Sequence, residues 1–123
     1  MVLMSASDRL MSDEELRAIG DLVSTLPVFK GFDPEGLVAT TRECAEIMGG
    51  EHGLDKVIKV IADSVPENLR ETAYALAVEI AAVDGKVEQE ELRILELLRF
   101  ALPLDKLPAA AIERAARARH ATL

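Results

Sequence analysis

The sequence has no tryptophan, one tyrosine and three phenylalanines, so aromatics make up only 3% of its 123 residues. Its core must therefore be filled by Leu, Ile, Val and Ala. It has a single cysteine, Cys44, which excludes an intramolecular disulfide and fits a reducing compartment. No histidine lies near Cys44 in sequence to form a nucleophilic pair. Its helical spacing to Ile47 and Met48 instead reads as a small buried hydrophobe. Long apolar runs are missing. Met1-Val2-Leu3-Met4 is too short for a signal peptide or a membrane span, and the stretch from Ala73 to Val83 is broken by Glu79. Basic residues are scarce, with 14 Lys and Arg against 22 Asp and Glu for a net charge of −8. That balance lacks the basic surface which nucleic-acid binding requires, and it favours cations or basic partners. The local exception is Arg114, Arg117, Arg119 and His120, placed where a last helix should end and complement its dipole.

Strand patterning is also missing, and helical periods take its place. Leu16, Ile19, Leu22, Val23 and Leu26 form one apolar stripe, ended by Pro27 and Gly31. Asp33-Pro34 opens a second helix as N-cap and first helical residue, and Gly49-Gly50 stops it. A connecting helix over about 53–65 carries Leu54, Val57, Ile58 and Ile61 until Pro66. A long helix spans Glu67 to Val83, and Asp84-Gly85 turns the chain. Leu92, Leu95, Leu98 and Leu102 then line a helix that stops at Pro103. A last helix runs from about Pro108 to His120.

A repeat underlies this order. Sliding the chain by 76 residues superimposes Ala6 on Ala82 and Asp8 on Asp84. The run Glu14-Glu15-Leu16-Arg17 falls on Glu90-Glu91-Leu92-Arg93, and Leu22, Leu26 and Pro27 fall on Leu98, Leu102 and Pro103. These are nine identities over residues 6–27, where chance supplies about one or two. The expected fold is all-α: a compact bundle of six to seven helices in one domain over 1–123. It is built from a duplicated helix–turn–helix unit with pseudo-two-fold symmetry, repeat one at about 1–50 and repeat two at about 67–123. By this register the first helix is about eight residues shorter than its counterpart, leaving an apolar groove that Met1, Leu3 and Met4 partly plug.

Each repeat carries an Asp in its turn and a Glu seven residues later: Asp8 with Glu15, and Asp84 with Glu91. The second copy mimics the back half of a calcium loop. The first and third ligand places, however, fall on Ile80 and Ala82, which offer no carboxylate, so an EF-hand is excluded. Helix capping explains part of the pattern, since Ser12-Asp13-Glu14-Glu15 is a capping box and acids suit a first helical turn. A pseudo-two-fold axis would alternatively pool four carboxylates, whose mutual repulsion a divalent cation relieves. Oxygen ligands suit magnesium, calcium or manganese better than zinc.

The stretch Ala81-Ala82-Val83-Asp84-Gly85-Lys86-Val87 followed by Glu90-Glu91-Leu92 resembles the TerB-like domain of bacterial tellurite-resistance proteins. Ala6-Ser7-Asp8 through Glu15-Leu16 is similar to that family's first motif. The resemblance covers essentially the whole chain. It implies a duplicated helical fold, a shared acidic metal site at Asp8, Glu15, Asp84 and Glu91 with Glu14 and Glu90 as neighbours, and a role in cytoplasmic stress response. One departure is Arg9, which stands where the second copy has Gly85.

The expected function is a non-enzymatic module that binds or senses a divalent cation. The alternative is an acidic protein-interaction module whose Asp and Glu residues only cap helices. No Glu-x-x-His pairs of the di-metal enzymes occur, and His52 and His120 lie apart. A protein partner is expected, as is a second copy of the chain at the groove, with no nucleic acid and no membrane insertion.

Overall fold

The computed structural model describes residues 1, 3–4, 13–33, 35–83 and 89–123. After a helical Leu3 and Met4, these residues form six α-helices: α1 (Asp13–Thr25), α2 (Glu35–Met48), α3 (Gly53–Ser64), α4 (Arg70–Ala82), α5 (Gln89–Ala101) and α6 (Lys106–Arg119). No strand occurs among the described residues. The fold is all-α.

The punctuation follows the sequence. Asp33 Oδ1 accepts the Glu35 N–H at 3.0 Å, capping α2, while Pro34 beside it lies outside the described residues. At the other end of α2 the Gly49 and Gly50 N–H groups donate to the Ala45 and Ile47 carbonyls at 3.0 and 3.1 Å. His52 then takes a left-handed φ of 54°, and Gly53 starts α3. A Cβ on Gly53 would lie 2.5 Å from the carbonyl oxygens of both Ile47 and Met48, so the junction of α2 and α3 requires glycine. The long helix expected from Glu67 opens as a 3-10 turn over Glu67–Leu69, and its α-helical part begins at Arg70. The last helix begins at Lys106, with Pro108 in its first turn, where no N–H partner is lost.

Helix α4 organises the core. It packs on α1, α5 and α6, most extensively on α6, while α3 joins α2 to α5. Tyr74, Ala77, Val78, Ile80 and Ala81 of α4 are buried together with Ile19 of α1, Val57 and Ile58 of α3, and Ile94, Leu95 and Leu98 of α5. Buried Ala109 and Ala116 of α6 add little bulk against α4, which suits a close crossing. Leu3 and Met4 are buried with this core. Each end of α5 lies 76 residues after the corresponding end of α1, the shift of the sequence repeat. Ile19 and Leu95, paired by that shift, are both buried. Helices α5 and α6 both lean on α4 but barely touch each other.

Candidate functional site

Asp8 and Asp84 lie outside the described residues, as do Ser12 of the capping box and the Arg9 and Gly85 turn positions. Glu14 and Glu15 occupy the first turn of α1, their side chains outside the description. Glu90 and Glu91 open α5 and part company there. Glu90 is exposed, whereas Glu91 is only 3% exposed and is the one charged residue in the core among those described. Its burial follows from its register. Glu91 precedes Ile94, Leu95 and Leu98 by three, four and seven residues, the spacing of one helical face, and all three are buried. Burying a carboxylate costs several kcal/mol unless it is engaged, and Glu91 is engaged in an interaction within the fold. Among the described residues no group of three or more His, Cys, Asp or Glu side chains is placed to hold a metal.

A second arrangement escaped the sequence reading. Glu79 sits in the most apolar stretch of the chain and joins α4 to the end of α6. Its Oε1 pairs with the Arg119 guanidinium, and its Oε2 lies 2.9 Å from His120 Nε2. The C-terminal basic residues thus do more than complement a helix dipole: two of them fasten α6. The visible signal was a lone carboxylate among apolar neighbours, although its partners stand far away in sequence.

Tyr74 supplies a third. It is 1% exposed, and its phenol donates to Glu113 Oε1 of α6 at 2.5 Å. Burial, then the hydrogen bond and charge of Glu113, push this phenol well above its ordinary range, with Arg99 partly opposing them. Tyr74 and Glu113 border a cleft of about 630 Å³ between α4, α5 and α6. A smaller apolar cavity of about 390 Å³ is lined by Leu3, Met4, Cys44, Ile47 and Leu76, among others. Cys44 is half-buried there, and that burial pushes its thiol up, away from the reactive thiolate. His52 is exposed, 3.6 Å from Glu51. No described helix is long and apolar enough to cross a membrane.

Residues 1–116 match the family model for tellurite resistance protein TerB. No curated protein and no solved structure matches the chain. The chain belongs to the TerB family.

Proposed function

We propose that this TerB-family chain, a tellurite-resistance-like module, is a non-enzymatic binder or sensor of a divalent cation. Asp8, Glu15, Asp84 and Glu91 supply the oxygens, with Glu14 and Glu90 adding negative potential nearby. The reading places the protein in a cytoplasmic stress response with a protein partner. The observation that carries it is Glu91: the second acid of the repeated motif stands in the core register of α5 and is buried there. A desolvated carboxylate binds a cation more strongly than one in water, because the surrounding dielectric is low. Magnesium, calcium or manganese suits such oxygen donors, and when bound the ion would neutralise the cluster. Tellurite itself is an oxyanion that these carboxylates repel, so a contribution to tellurite resistance is indirect.

A second reading is that the acids only cap helices and the surface serves a partner. It is favoured by Asp33, a carboxylate that does cap a helix, and by Phe100 and Leu107, which are 68% and 80% exposed. Thermal unfolding in chelator, followed by each cation alone, separates the two. A cation at 100 times its Kd stabilises by about 2.7 kcal/mol, roughly a 10 °C rise for a chain of this size. The cation reading expects that rise with one ion and its loss in Asp84→Asn. No rise with any ion sinks the reading and leaves the capped interaction module.

A further inference from the structure

The cleft over α4 is used by neither the acidic motif nor the Glu79 fastening. It exists because α5 and α6 lean on α4 without packing on each other, and because Ala81, Ala82, Ala116 and Ala121 leave the space between them unfilled. Its volume of about 630 Å³ falls within the roughly 300–1,000 Å³ of small-molecule sites. Val78 and Leu95 give it an apolar interior.

Its charge runs against that of the chain. The protein carries −8 overall, yet residues 99–123 hold five of its 14 Lys and Arg and only two acids, Asp105 and Glu113. Of the cleft's basic side chains, His120 is taken by Glu79. Arg99 and Arg117 line the cleft, and neither forms an ion pair among the described residues. Arg99 rests 5.3 Å over the Phe100 ring, which holds its head without neutralising it. On the acidic side, Glu113 already accepts from Tyr74, and Glu96 is exposed. Two unpaired guanidinium groups beside an apolar interior fit one anionic head with an apolar body.

We propose that this cleft binds an organic monocarboxylate with an apolar tail, the tail against Val78, Ala81 and Leu95 and the carboxylate against Arg99 and Arg117. The proposal is independent of the cation reading and is tested in chelator. Tyr74 is the only tyrosine and there is no tryptophan, so the protein's intrinsic fluorescence reports on this cleft alone. Titration with octanoate should change Tyr74 emission saturably, while octylammonium should not. The double variant Arg99→Gln/Arg117→Gln, checked for fold by circular dichroism, should bind octanoate at least about tenfold more weakly. Glu113→Gln, which keeps an acceptor for Tyr74 but removes a repelling charge, should tighten it. No saturable change with octanoate, an equal response to octylammonium, or unchanged affinity in the double variant would overturn the proposal. So would binding to anionic phospholipid vesicles while free octanoate leaves Tyr74 unmoved.

Discussion

Replacing Glu79 with glutamine should lower the melting temperature by about 6–8 °C. The substitution conserves volume and one acceptor oxygen, so it tests charge rather than packing. Arg119 is half exposed, with 54% of its side chain accessible, so its share of the pairing is discounted to about 0.5 kcal/mol. His120 and Glu79 are better sheltered, at 30% and 19%, and a hydrogen bond to a charged group there contributes about 1–1.5 kcal/mol. The sum is about 1.5–2 kcal/mol. An unfolding entropy of about 2.1 cal/mol/K per residue converts it to the stated shift for 123 residues. Because α4 on α6 is the most extensive helix contact, the loss should appear in global unfolding rather than as fraying of the last turn. Scanning calorimetry of Glu79→Gln beside Glu46→Gln, an exposed acid in no ion pair among the described residues, provides the comparison. A shift no larger than that control's would refute the reasoning, as would a double-mutant cycle showing no coupling between Glu79→Gln and His120→Gln.

Tyr74 predicts an alkaline weakness. Its phenol is raised in the folded state, so its protonated form favours folding below the unfolded value near 10, and that stabilisation is lost as pH rises beyond it. Wild type should lose more stability than Tyr74→Phe between about pH 8 and 11, and equal losses would contradict the assignment. At neutral pH Tyr74→Phe should cost about 1 kcal/mol for the lost bond to Glu113, measurable by urea unfolding. Gly53→Ala forces a Cβ onto two backbone oxygens at 2.5 Å and should cost about 1–3 kcal/mol. Gly20→Ala, inside α1 with nothing within 4 Å of a new Cβ, should gain about 0.4–1 kcal/mol. His52→Gly should relieve the left-handed φ of 54° and raise stability by up to about 1 kcal/mol.

The helices were legible because each buries one face at a 3.6-residue period and because Asp33, Gly49, Pro66 and Pro103 end or begin them by local chemistry. The family resemblance was legible for a similar reason, since its motif is contiguous in sequence. What could not be read was tertiary. Glu79 stands 41 residues from His120 and Tyr74 stands 39 from Glu113, and no local pattern announces partners at such distances. Glu67–Leu69 was read as the start of the long helix, yet a chain leaving Pro66 closes first into the tighter 3-10 turn. Cys44 was placed in the core by its spacing, and it is half-buried because it borders a cavity. The cleft over α4 was invisible for the opposite reason: alanine is the best helix former and gives no local sign that a space lies beside it.

Glu91 shows how a position can be picked out by a sequence pattern while its burial goes unread. Adjacent acids look alike in sequence, but successive helical residues differ by about 100° in direction, so Glu90 meets solvent while Glu91 takes the place of a core hydrophobe. Glu15 has the same register, three, four and seven residues before Ala18, Ile19 and Leu22. The Glu91 carboxylate is engaged within the fold, so removing its charge carries a cost that is separate from any cation. If Glu91 also ligates a cation, adding the ion should raise the melting temperature of wild type and raise that of Glu91→Gln much less. If Glu91 merely caps α5, the variant should be weaker by about 0.5–2 kcal/mol in both conditions. Paired melts of the two proteins, with and without the ion, decide which, and a deficit already complete in chelator would refute the cation role.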